Sequence, residues 1–286
     1  MKLYSVETGF FKLDGGAMFG VVPKVIWNKL NPADENNLCS WAMRCLLIED
    51  GNRLILVDNG LGDKQDEKFF GHYHLHGDDS LDKSLAKLGF SKDDITDVIL
   101  THLHFDHCGG SIVRKGEQLV PAFKNATFWS NEEHWNWAVY PNDREKASFL
   151  KENILPIQES GQLKMIASGT GSDSQLKTTS FSENISIRFA NGHTEKMMLP
   201  QINYKGKTIV YMADLLPAAA HLPIPYVMAY DMFPLTTLHE KKAFITEAME
   251  NDYILFFEHD PKIECCSLQQ TEKGVRMKEA LKLSDL

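Results

Sequence analysis

Residues 101–110 read THLHFDHCGG and place His102, His104, Asp106 and His107 within six positions. The whole chain has 11 histidines in 286 residues, so three in one short stretch call for a chemical reason. Neutral imidazole is the commonest protein ligand for transition metals. Alternate residues of an extended segment point the same way, so His102 and His104 can hold one ion. The chain then turns, and Asp106 and His107 face a second point close by. One segment can thus serve two adjacent metals.

The motif follows ITDVILTH, which reads as a short buried strand. Upstream, LIED-GN-RLILVD reads as a hairpin, because Asp-Gly and Gly-Asn tolerate the positive φ of tight hairpin turns. SLDKSLAKLGF puts Leu81, Leu85 and Leu88 on one helical face with Gly89 as a stop, and SKDDI restarts like a capping box. Downstream, ATFWS is strand-like and NEEHWNWAVY helical, and REKASFLKENILP continues as helix until Pro156 stops it. LKMI, ISIRFA, QINYKGKTIVYMAD and YILFFEHD are strand-like, and LHEKKAFITEAMEND is a helix between the last two strands. SGTGSDSQLKTTSFSEN reads as loop. Strand pairs followed by helices in both halves predict an α/β fold of two sheets packed face to face, helices outside, in a single domain over residues 1–286.

Composition narrows the function. The apolar fraction is 43 % and the formal charge −9. An acidic chain repels phosphate backbones, so nucleic acid is not an expected partner. The sequence has no apolar run of about 18 residues and no h-region behind Lys2, which predicts no membrane span and a cytoplasmic protein. Five cysteines with no C-x-x-C pair predict unbridged thiols rather than a disulfide framework or a zinc ribbon.

A zinc site needs three or four protein donors, so the cluster requires partners. RFANGHTE offers His193, with Gly192 letting the backbone turn; IVYMADLL offers Asp214; LFFEHDP offers His259. An acid at the end of an apolar strand is costly unless paired or metal-bound. His72, His74 and His76 alternate in GHYHLHG but no carboxylate follows, so an exposed or subunit-contact loop is expected there. His134 and His239 lie on predicted helices and read as surface residues. Trp129, Trp135 and Trp137 read as core.

The order Asp58 in VDNG, HLHFDH, GHT, an Asp after an apolar strand, and a late His in EHDP resembles the metallo-β-lactamase superfamily from about residue 40 to 262. LGFSKDDITDVILTHLHFDHCGG and GAMFGVVPKVIW look most like its clade of N-acyl-homoserine lactone lactonases and methyl-parathion-hydrolase-like enzymes. The resemblance implies a four-layer αβ/βα sandwich and two divalent metals. It assigns His102, His104 and His193 to the first, Asp106, His107 and His259 to the second, and Asp214 to both. Asp58 would orient the histidine loop without being a ligand. Met18, Phe19, Phe105 and His221 are the pocket candidates, and a homodimer is implied by analogy. The chain departs from the family in two places. GHTEKMM puts Glu195 and Lys196 where small residues are usual. Pro217 stands where many lactonases carry a Tyr aimed at the substrate carbonyl, which leaves His221 or the metal to stabilise the oxyanion.

The donor set of imidazole and carboxylate without thiolate suits zinc, with iron, manganese or cobalt as alternatives. Two dications about 3.5–4 Å apart can share a hydroxide formed near neutral pH. Asp106 beside it could carry the proton, with Asp214 as the second catalytic carboxylate. The expected activity is hydrolysis of a small-molecule lactone, specifically an N-acyl-homoserine lactone, which is quorum quenching. The alternative is an aryl-ester or organophosphate triester hydrolase at the same site. A third reading is a metalloprotein without turnover.

Overall fold

The computed structural model describes residues 1–168 and 178–286. The strands are β1 (Lys2–Asp14), β2 (Leu38–Asp50), β3 (Arg53–Val57), β4 (Asp97–Ile99), β5 (Ile112–Lys115), β6 (Gln118–Pro121), β7 (Thr127–Ser130), β8 (Leu163–Met165), β9 (Thr178–Ser180), β10 (Ile185–Ala190), β11 (Met197–Tyr204), β12 (Lys207–Tyr211), β13 (Ile254–Phe256), β14 (Cys265–Thr271) and β15 (Gly274–Leu281). The helices are α1 (Gly15–Phe19), α2 (Lys24–Trp27), α3 (Glu67–Tyr73), α4 (Leu81–Lys87), α5 (Phe105–Cys108), α6 (Glu132–Val139), α7 (Lys151–Glu159) and α8 (Pro234–Glu250). The chain forms two compact units, Met1–Gly9 with Met43–Ser168, and Phe10–Ala42 with Gly169–Leu286.

The first unit is built on a six-stranded sheet in the order β1-β2-β3-β4-β7-β8. β2 and β3 pair antiparallel with Asp50 opposite Arg53, so Gly51 and Asn52 form a two-residue turn, and Gly51 takes the positive φ of 63° that such turns require. β3, β4, β7 and β8 then run parallel. Leu47, Leu56, Val98 and Phe128 of the strands share one core with Leu85 of α4, Trp135 of α6 and Ile154 of α7. Each such side chain stabilises the fold by about 1.5–3 kcal/mol relative to exposure. α4 begins at the Ser80 cap, and Ser91 with Asp94 forms the expected capping box.

The second unit is built on a seven-stranded sheet, β15-β14-β13-β12-β11-β10-β9, antiparallel except for β12 beside β13. α8 buries Thr237, Glu240, Lys241, Phe244, Ile245 and Ala248, a spacing that keeps all six on one helical face. The expected α/β class with two mixed sheets is thus present.

Four expectations need correction. Pro156 lies inside α7, which starts only at Lys151 and runs to Glu159. Its ring removes only the bond that would reach the Glu152 carbonyl, and the buried Asn153, Ile154 and Ile157 hold the turn. The predicted loop over residues 168–184 lies largely outside the described residues, and its described part includes β9. His134 is buried. The glycine before His193 also serves a different purpose. A Cβ on Gly192 would stand 2.3 Å from the Thr237 nitrogen, so the residue is needed for close approach to α8. His72, His74, His76 and His239 are exposed as expected, although His72 lies in the last turn of α3 and His74 caps it, where a loop is expected. All five cysteines are buried and none is in a disulfide. No helix among the described residues is long and apolar enough to cross a membrane.

Candidate metal donors

In the first unit the histidine segment starts where β4 ends. Asp58, at the end of the neighbouring β3, accepts from the Thr101 amide (2.7 Å), the Thr101 hydroxyl (2.6 Å) and His107 Nδ1 (3.1 Å). It is fully buried, and the three donors compensate its desolvation. Asp58 therefore fixes the loop through these three contacts, while it also lies with His107 and Glu258 in a buried group able to hold a metal ion.

These contacts set the histidine tautomers. The Thr101 hydroxyl donates to Asp58, so it can only accept from His102, and the proton lies on His102 Nδ1, 3.1 Å away. His104 Nε2 lies 2.9 Å from Glu145 Oε1 and carries the proton there. His102 Nε2 and His104 Nδ1 then face each other at 3.0 Å, each with a lone pair. Two lone pairs aimed at one point repel unless a cation lies between them. Tetrahedral zinc with bonds of 2.0–2.1 Å would hold two nitrogens about 3.3 Å apart. His107 likewise donates from Nδ1, leaving its Nε2 facing Asp106 Oδ2 at 3.8 Å. The residues present fit a metal ion.

Backbone contacts hold this loop tightly. Asn59 donates its amide to the His107 carbonyl, and Lys64, buried, donates to the Gly109 carbonyl. Burial lowers the Lys64 ammonium to a pKa of about 8. A Cβ on Gly109 would meet the Leu61 carbonyl oxygen at 2.1 Å, and one on Gly110 the Asn59 oxygen at 2.3 Å. His134 of α6 accepts the Leu103 amide at 2.9 Å, which explains its burial. Cys108 beside His107 is buried, burial pushes its thiol up to about 12, and the thiol donates to the Leu103 carbonyl at 3.3 Å.

In the second unit Asp214 follows β12, His193 follows β10 and His259 follows β13. His259 Nδ1 lies 2.7 Å from the Ala42 carbonyl, which can only accept, so Nε2 holds the lone pair. His193 Nδ1 donates to Asp231 at 2.8 Å. The two free faces meet the same carboxylate: His193 Nε2 is 3.1 Å from Asp214 Oδ2, and His259 Nε2 is 3.2 Å from Asp214 Oδ1. An acid whose two oxygens face different imidazoles suits a carboxylate shared between two cations. Burial by itself would lower the His193 pKa, but the charge and hydrogen bond of Asp214, then those of Asp231, raise it to about 10. The two carboxylates thus make this pocket attractive to a cation, whether a proton on His193 or a metal ion in its place.

α8 supports the His193 loop. Glu240 accepts the amides of Asn191 and Gly192, and the Phe233 amide donates to the Gly192 carbonyl. Burial raises the Glu240 carboxyl above its ordinary range, while those amides oppose the shift.

Two residues in these networks escape sequence reading. Glu145 also accepts from Trp137 Nε1 (2.6 Å), and Asp231 is buried behind His193. Neither sits in a motif; each acts only through a contact across the fold.

Of the pocket candidates, Met18, Phe19 and His221 are buried together. Phe19 stacks on His221 with centroids 4.7 Å apart, and His221 Nε2 lies 2.9 Å from the Met18 carbonyl. Burial lowers the His221 pKa to about 3, so the ring is neutral and its one N–H is directed at Met18. Phe105 packs on Tyr73 at 4.6 Å and Phe69 at 5.4 Å. The Pro217 carbonyl accepts the His259 amide at 3.0 Å.

A family model described as the metallo-beta-lactamase superfamily matches residues 44–259. N-acyl homoserine lactonases of Bacillus cereus and Bacillus thuringiensis are 28 % and 27 % identical over 165 residues, which is 54 % of this chain and 56 % of each relative. The chain therefore spans about half the length of the curated relatives it matches. Among solved structures, a probable metal-dependent hydrolase from Staphylococcus aureus is 27 % identical with a TM-score of 0.87, covering 98 % of this chain and 96 % of that one. AidC, a dizinc quorum-quenching lactonase in complex with a product, is 21 % identical with a TM-score of 0.78 over 98 % and 95 %.

Proposed function

Because the chain belongs to the metallo-beta-lactamase superfamily, whose model covers residues 44–259, we propose that it is a dinuclear metal-dependent hydrolase acting on a lactone. The buried His and Asp clusters, able to hold metal ions, support divalent cofactors. We assign His102, His104 and His193 to one ion, Asp106, His107 and His259 to the other, and Asp214 to both. Zinc fits this donor set best, with iron, manganese or cobalt as alternatives.

When bound, such ions bring the pKa of water toward about 7 and polarise a carbonyl or phosphoryl oxygen. The protein's own groups do the rest. Asp58, Glu145 and Asp231 hold the imidazoles in the tautomers that ligation needs. Asp106, in the first turn of α5, carries the proton from the attacking water to the leaving alkoxide. Phe105 offers an apolar wall to the substrate, while Met18, Phe19 and His221 pack on one another within the second unit.

Tyr73 takes the place of the carbonyl-directed tyrosine that Pro217 lacks. It lies against Phe105, and burial, then the Asp106 charge, raises its phenol to about 12. The hydroxyl stays protonated at any working pH and can donate to a developing oxyanion.

The observation that carries the reading is the close approach of two buried imidazole nitrogens, His102 Nε2 and His104 Nδ1, at 3.0 Å. The likeness to N-acyl homoserine lactonases supports an N-acyl-homoserine lactone as substrate, and with it quorum quenching. One second reading, an aryl-ester or phosphotriester hydrolase, applies where Tyr73 does not reach the substrate, because Pro217 supplies no carbonyl-directed donor and those leaving groups need less help from one. Metal-loaded protein offered a homoserine-lactone series, a p-nitrophenyl ester and a paraoxon-type triester separates them. A lactone kcat/KM above the other two is expected. A triester value above the lactone's selects the second reading, and stoichiometric metal without turnover on any of them selects a binding protein.

A further inference from the structure

A cavity of about 640 Å³ lies wholly within the second unit, in the size range of small-molecule sites. Leu30, Trp41, Leu222, Pro223, Tyr226 and Met277 make its walls apolar. It is flanked by the segments that follow two of the donors. Ala218–Ala220 come after Asp214, Asp260–Ile263 come after His259, and the Ala219 amide donates to Asp260 at 3.0 Å.

Three charged side chains line this cavity: Asp260, Lys262 and Arg276. The Asp260 carboxylate accepts three backbone amides, those of Ala219, Lys262 and Ile263, so its charge is met locally and the loop displaying Lys262 is fixed. The two cations are not so engaged. Arg276 makes one side-chain hydrogen bond, to the Val275 carbonyl, and among the described residues neither Lys262 nor Arg276 forms an ion pair. A chain of formal charge −9 thus leaves two cations beside one apolar hollow.

The hollow is braced and has an apolar approach. Lys241 of α8 donates to the carbonyls of Pro223 and Tyr226, holding that wall from behind. Leu30 lines the cavity while 47 % exposed, and the short segment before it shows Val21 and Val25 at 91 % and 75 %.

We propose that this cavity binds an amphipathic anion, an apolar chain ending in a carboxylate, with the chain along Trp41, Leu222 and Tyr226 and the head between Lys262 and Arg276. A neutral amphiphile would leave the two cations unanswered, and a compact inorganic anion would leave the walls wet. The site needs no metal, so it stands apart from the hydrolase reading.

Calorimetric titration of the full-length chain, with and without chelator, tests it. Decanoate is expected to bind at least tenfold more tightly than decan-1-ol. The Lys262→Gln, Arg276→Gln pair is expected to bring the two to parity, and Ala220→Leu to weaken both by shrinking the hollow. High salt provides a check that needs no variant, since it should erode the preference for decanoate alone. Replacing decanoate by N-octanoylglycine distinguishes a fatty acid from an acyl amino acid as the source of the head group, the tighter ligand identifying it. Equal binding of decanoate and decan-1-ol by the wild-type protein, or a decanoate preference untouched by salt and by the paired substitution, overturns the proposal. Because binding is read rather than turnover, this result is independent of the metal assignment.

Discussion

At the scale of the residue, the tautomer argument makes the supporting acids as testable as the ligands. Glu145→Gln and Asp231→Asn should each weaken metal affinity by roughly 10–100-fold while leaving the fold intact, measured by competition with a chromogenic chelator. Tyr73→Phe should lower kcat far more than it changes KM, because the phenol donates to charge that appears only during reaction; a pure KM effect would remove it from the mechanism. Lys241 supplies a pH prediction. Burial lowers its pKa from 10.5 to about 7, against a weaker opposing pull from Asp231. Between those values the unfolded chain holds a proton that the folded chain has released, so stability rises with pH across this window and the penalty is greatest below pH 7. Lys241→Met should remove on the order of 2 kcal/mol of the rise between about pH 7 and pH 9, read from urea unfolding at the two pH values.

Among the elements, the loop between β4 and β5 is where the backbone has least room. Gly109→Ala puts a methyl 2.1 Å from the Leu61 carbonyl oxygen, a rigid neighbour, so the histidine segment must shift. Metal binding should fall sharply, with about 1–3 kcal/mol lost in stability. Ser80→Ala is the contrasting change. It removes the α4 cap, costs about 1 kcal/mol, and should leave metal affinity unchanged, since α4 carries no donor. The same contrast explains what could be read beforehand. HLHFDH was legible because four donors share six positions, and the β2–β3 hairpin and α4 because their turn and cap residues are local. Glu145, Asp231 and buried His134 were not, because each meets its partner 38 or more positions away, except His134, whose partner Leu103 is 31 away. The C-terminal hairpin of β14 and β15 went unread because polar residues such as Gln269, Gln270, Lys278 and Glu279 dilute any apolar alternation.

For the molecule as a whole, the proposed donors are divided, with four in the first unit and three in the second. Metal bound only by the native state would stabilise it, by about 4 kcal/mol at a thousandfold excess over Kd. Chelation should therefore lower Tm in a metal-concentration-dependent way, and readdition of zinc should restore it. A Tm indifferent to chelator would mean that no bound metal supports the fold.

The five buried thiols also provide an intrinsic gauge of breathing. Alkylation requires a sulfur to meet reagent and to ionise, and burial opposes both, holding Cys39 near 11 and Cys108 and Cys266 near 12. Cys45 and Cys108 belong to one unit, Cys39, Cys265 and Cys266 to the other. Mass-resolved labelling kinetics on the untouched wild-type chain would therefore tell which half loosens first.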